Sequence, residues 1–137
     1  MTETSNRSLR KILAFASIAE SATGLALMLD PRLVVSLLIG IKEPPDEMTL
    51  GRIAGIALFV FGLACWPGQR PVAGSDPAFR AMLIYNFLIA LYLAYLFMIG
   101  HRGGPLLWPA VALHAIVAGL LVATWREGTR RARLKAS

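Results

Sequence analysis

At 137 residues the chain has room for one domain, with hydrophobic residues at 56%, charged residues at 16% and a mean hydropathy of +0.60. Soluble domains keep charged residues near a quarter, so this composition excludes an ordinary water-soluble fold and predicts an all-α polytopic membrane protein. The net charge of +6 is gathered beside the apolar runs, as the positive-inside bias produces. No nucleic-acid-binding motif accompanies it, and nucleic acid is excluded as a partner. Cys65 is the single cysteine, which excludes an intrachain disulfide and a cysteine metal cluster; it reads as a small apolar residue at a helix end.

Arg7, Arg10 and Lys11 precede the first apolar run. Basic residues there resemble a secretory leader, but Glu20 interrupts the apolar stretch, no small-x-small cleavage site follows, and apolar sequence resumes at once. A retained first span is expected over 12–29, about 27 Å long at 1.5 Å per residue, against a hydrocarbon core of about 30 Å. Asp30-Pro31 ends it. Asp is a good N-cap and Pro fits the first helical position, so the same dipeptide predicts a short helix over 31–39, closed by Gly40. Its apolar residues recur at helical spacing, placing it in the interface or against the bundle. One long kinked helix over 12–41 is the alternative.

KEPPD, residues 42–46, is a loop by composition. A second span is expected over 47–66, stopped by Pro67-Gly68. Gly51, Gly55 and Gly62 share one of its faces, and glycines at such spacing admit another backbone closely; the partner is either within the chain or a second copy. After a polar loop over 69–75, Asp76-Pro77 repeats the cap-and-proline signal. The third span follows over 78–100, with Tyr85, Tyr92 and Tyr95 on one stripe. A turn at 101–104 leads to the fourth span over 105–125, and a basic tail occupies 126–137. Four spans put both termini on one side. That side would hold ten Lys and Arg residues against four on the other, which predicts cytoplasmic termini in a bacterial inner membrane. Trp66 and Trp125 would mark the inner interface and Trp108 the outer.

The run GLALMLDPRLVVSLLIG followed by GRIAGIALFVFGLACW, about residues 24–66, resembles small DoxX-like four-helix membrane proteins: a Gly in the first span, an Asp-Pro break, a short apolar helix closed by Gly, then Arg-x-x-Gly opening the second span. The resemblance implies a four-helix bundle. A few proteins of that kind are linked to sulfur or quinone redox chemistry, but no catalytic motif is matched and no functional residue is carried over.

Five polar residues fall near mid-depth of their spans: Glu20 in the first, Arg52 in the second, Asn86 and Tyr92 in the third, and His114 in the fourth. They form a candidate ligand-binding or proton-relay layer. Such residues often serve only as interhelical hydrogen bonds worth about 0.6 to 2 kcal/mol. A carboxylate is costlier to bury and a glutamine would serve as well for glue, so Glu20 with His114 carries the functional expectation. Arg52 could instead reach outward to the interface or Glu47. His101 and His114 lie on one segment, which excludes bis-histidine haem ligation. One His with one Glu is too few for a metal site. No Ser-His-Asp order, phosphate loop or CxxC is present, so no catalytic residue, metal or cofactor is expected and no enzymatic activity is assigned. Three functions compete: an accessory or structural subunit binding a membrane partner or a second copy, a site for a quinone or other lipophilic ligand, and a proton-coupled transport subunit.

Overall fold

The computed structural model describes residues 3–42, 48–68, 76–101 and 103–136. They form five helices: α1 (Glu3–Leu29), α2 (Pro31–Ile39), α3 (Thr49–Ala64), α4 (Pro77–Met98) and α5 (Leu107–Ala136). No strand occurs among the described residues. The loops expected over 42–46 and 69–75 fall outside them, Lys42 excepted, as do Arg70 and Arg102.

α1 begins at Glu3, nine residues before the expected apolar boundary at 12. No Gly or Pro interrupts the basic flank, so the helix runs through it. Glu3 places an acid in the first turn, where the helix dipole favours it, and pairs with Arg7 at 3.4 Å. At 27 residues the helix is about 40 Å long, longer than a hydrocarbon core. Asp30 then breaks it at φ −140°, ψ 80°. Its carboxylate accepts the Leu33 N–H at 3.0 Å, with Pro31 in the first turn of α2. The single kinked helix is thereby excluded. Gly40 ends α2 at φ 79°, a conformation open to glycine. The Leu37 and Leu38 carbonyls accept the Leu106 and Gly104 N–H groups at 2.9 and 3.0 Å, so α2 is bonded to the turn between α4 and α5.

α3 has 16 residues, about 24 Å, shorter than the 20-residue span expected over 47–66. Met48 gives its N-terminus no side-chain cap, and Pro67 forbids continuation beyond the last turn. Three helices are long and apolar enough to cross a membrane: α1, α4 and the 107–127 part of α5; α3 is a shorter apolar helix. α4 opens on the Asp76 cap, whose side chain accepts the Ala78 N–H at 2.9 Å. α5 starts two residues later than expected, because Pro105 and Leu106 form a turn, and it continues through the basic segment to Ala136.

α1 packs against α3 on one side and α5 on another, with α4 beside α5. Rings at opposite helix ends meet, Phe79 with Trp125 and Phe97 with Trp108, so α4 and α5 are antiparallel. The core joins Leu9, Leu13 and Ala16 of α1 to Cys65, to Phe79 and Met82 of α4, and to Val117 and Leu121 of α5. Large apolar side chains lie exposed on every long helix, among them Phe15, Ile18, Val60, Phe87, Leu91 and Ile116. Water would tolerate such a continuous apolar surface poorly; it is compatible with an integral membrane protein.

Candidate functional site

Glu20 sits on the α1 stripe Leu9, Leu13, Ala16, Glu20, spaced by four, three and four residues. That is the period of one helix face, and it carries the carboxyl into the junction with α4 and α5. Asn86 lies one turn beyond Met82 on α4, and His114 precedes Val117 and Leu121 on α5. Three helices thus deliver one polar side chain each to a common point. Glu20 Oε1 is 3.6 Å from His114 Nδ1, with side-chain exposures of 4% and 13%. Asn86, 1% exposed, holds its Oδ1 2.9 Å from the same His114 nitrogen.

The hydrogen bonds fix the imidazole's proton. Asn86 Nδ2 donates to the Met82 carbonyl at 2.9 Å, and a carbonyl can only accept, so the amide oxygen must be the atom facing His114. An amide oxygen also only accepts. His114 Nδ1 therefore carries hydrogen and donates it to Asn86. Glu20 faces the Nδ1 edge. The Tyr85 phenol lies near the Glu20 carboxyl. Its ring stands edge-on to His114 at 5.9 Å and tilts against Phe61 of α3 at 5.0 Å. Tyr85 therefore links the polar cluster to the fourth long element of the packing.

Of the five residues expected to share a layer, Glu20, Asn86 and His114 are brought together. Arg52 and Tyr92 stand elsewhere. Arg52 is exposed in the first turn of α3, because the helix face that meets α1 is the glycine face. Tyr92 is 57% exposed and stacks on Tyr95 at 6.5 Å. Tyr85, seven residues earlier on the same face, takes the place expected for Tyr92. The signal was available: Tyr85 neighbours Asn86, and its long phenol reaches deeper than its Cα position suggests.

The three glycines all pack within the chain. A Cβ at Gly55 would stand 2.8 Å from both the Gly24 carbonyl oxygen and the Met28 nitrogen of α1, and one at Gly62 would stand 2.7 Å from the Ser17 oxygen and the Ser21 nitrogen. Gly51 faces the Pro31 ring, where an added Cβ would lie 2.9 Å from the proline Cβ. Ser21 donates to the Phe59 carbonyl across the same seam at 3.4 Å. Ser17, 1% exposed, has an Oγ with no hydrogen-bond partner among the described residues, one turn from Glu20. Among the described residues no group of three metal-ligating side chains converges. No known protein family, curated protein or solved structure matches the chain.

Proposed function

We propose that this chain is a small integral membrane protein of the accessory or structural kind, with four membrane-crossing helices, of the DoxX-like type that residues 24–66 resemble. In this reading the Glu20–His114–Asn86 cluster is the lock that fixes α1, α4 and α5 in register. The observation that carries it is the interlocking of the cluster across three helices. His114 donates its Nδ1–H to Asn86, Asn86 donates to the Met82 carbonyl, and Glu20 faces the imidazole edge at 3.6 Å. Polar side chains used this way bind helices at about 0.6 to 2 kcal/mol per bond. Three recesses among the described residues lie away from them, at the basic ends of α1 and α5 and on the outer face of α4 and α5.

The crossing of α3 is supported by its antiparallel seam with α1: Gly62 opposes Ser17 and Ser21, Gly55 opposes Gly24 and Met28, and Gly51 opposes Pro31. A helix of about 24 Å crosses with local thinning of the bilayer or with its flanking residues completing the depth. Both termini then lie on the cytoplasmic side of a bacterial inner membrane, by the ten-to-four count of basic residues. Cysteine labelling in a background lacking Cys65 tests this: Asp46→Cys should react from outside, Ser5→Cys and Ser75→Cys only after permeabilisation. Outside labelling at Ser75→Cys overturns the four-span topology.

A second reading is favoured by one feature, a carboxyl 3.6 Å from an imidazole. Such a pair can pass a proton, as a proton-coupled subunit or a quinone-type lipophilic-ligand site requires. Affinity purification from native membranes separates the two. The accessory reading expects a stoichiometric membrane partner, retained by Glu20→Gln. Loss of the wild-type phenotype by a Glu20→Gln chain that still folds and still holds its partner supports the second reading instead.

A further inference from the structure

The outer face of the α4/α5 pair is divided into two unlike halves. Toward the α2 end the seam is filled, because Phe97 and Trp108 meet edge-to-face at 4.9 Å. Toward the chain termini the same seam is an open groove of about 960 Å³, near the upper end of the about 300–1,000 Å³ typical of ligand sites. Leu83, Phe87 and Leu91 make its α4 wall. Its α5 wall is mostly small, with Ala115, Gly119 and Ala123 at intervals of four that keep them on one face and Val122 the one larger apolar side chain beside them. A Cβ at Gly119 would meet nothing within 4 Å, so the missing side chain is not taken up by packing inside the protein.

The dimensions of the groove match one leaflet. From Ala115 to Arg126 is eleven residues, about 16 Å of helix, and half of a hydrocarbon core is about 15 Å. Arg126 closes the groove at the headgroup end. The same Arg126 also lines a second recess with Trp125, Thr129, Arg130 and Leu134, so the apolar trough and a recess holding two arginines meet at one side chain. Arg80, one turn before Ile84 on α4, is exposed at that end too. Glu127 is turned about 100° around α5 from Arg126, off the groove face.

We propose that this groove is a binding site for an anionic phospholipid, with an acyl chain along Ala115, Gly119 and Ala123 and the phosphate at Arg126 and Arg130. The site is separate from the Glu20 cluster. It rests on α4 and α5 crossing the bilayer with their basic ends at one surface, and on nothing else in the functional reading. Small residues leave the space, and the arginines select the headgroup charge.

Native mass spectrometry of the full chain from mild detergent, with phosphatidylglycerol or phosphatidylcholine added in equal amounts, tests the site. The wild type should retain one phosphatidylglycerol in preference to phosphatidylcholine by fivefold or more, since one cation near an anionic surface is worth about fivefold in affinity. Arg126→Gln with Arg130→Gln should remove the preference. Gly119→Leu, which fills the groove without striking backbone, should remove retention of both lipids. Equal retention of the two lipids by the wild type overturns the proposal, as does unchanged retention by Gly119→Leu. A dimer that Gly119→Leu dissolves while lipid retention is untouched also overturns it, and assigns the groove to a second copy. Should Gly119→Leu fail to fold, the exposed arginine pair decides alone: a preference that survives its removal sinks the site.

Discussion

α1 is held on two sides by opposite means. Against α3 it presents Ser17, Ser21, Gly24 and Met28, and the contact is backbone on backbone, with Gly24, Gly55 and Gly62 admitting the approach. Against α4 and α5 it presents Leu9, Leu13, Ala16 and Glu20, and the contact is a packed apolar cluster ending in a polar junction. In hydrocarbon there is no hydrophobic drive to bring helices together. Close packing and hydrogen bonding remain: backbone packing dominates the α3 side of the helix, and a polar cluster marks the other. The seam depends on the absence of atoms. The junction depends on their identity.

The largest expected effect breaks the seam. Gly55→Leu puts a Cβ 2.8 Å from two backbone atoms of α1, and neither can swing away as a side chain could. Overpacking usually costs about 1–3 kcal/mol; here loss of at least about 3 kcal/mol, or of folded yield, is expected in thermal denaturation in detergent. A near-wild-type melting temperature would mean that α3 does not sit on α1.

Next comes the junction. Asn86→Leu removes the acceptor of the His114 N–H and the donor to Met82, leaving only Glu20, at 3.6 Å, near the imidazole nitrogen. A loss of about 1–2 kcal/mol is expected. A double-mutant cycle with Glu20→Leu should give a non-additive term of about 0.5 kcal/mol or more. Strict additivity would show that the three residues meet without acting together.

A smaller effect grades the seam along its length. Gly51→Ala meets the Pro31 ring and the tip of the Met48 side chain, at the rim where α2 begins, and a cost of about 1 kcal/mol or less is expected. Gly55→Ala in the same denaturation series should cost clearly more. Equal costs would mean that the seam relaxes as one body and that the backbone distances do not rank its positions.

The smallest expected effect is Glu20→Gln. The amide keeps the shape and an acceptor oxygen, so stability should change by no more than about 0.5 kcal/mol. This variant sharpens the contrast between lock and proton site: unchanged partner retention with an unchanged phenotype confines Glu20 to holding helices.

Much of this molecule was written locally. The Asp30-Pro31 break, the Gly40 stop and the Asp76-Pro77 start depend on neighbours within a turn, and each appears where those residues require it. The helical character of the long segments follows from composition in the same way. Boundaries were less legible where no residue punctuates the chain: α1 runs through its basic flank to Glu3, and α5 runs through the basic segment to Ala136. The site was half legible. Depth along a span places Glu20, Asn86 and His114 in one layer, because rise per residue is fixed. Depth says nothing about the direction a residue faces. Tertiary packing alone turned Arg52 outward, since the α3 face toward α1 had to be the one without side chains; Tyr92 shares a face with Tyr85 but lies six residues past Asn86, about 9 Å along α4, so it was Tyr85 whose ring could reach the junction. Whether the glycines would receive this chain or another also waited on packing. Gly24 opposite Gly55 is a match between two segments thirty-one residues apart, and only the fold brings their two backbones together.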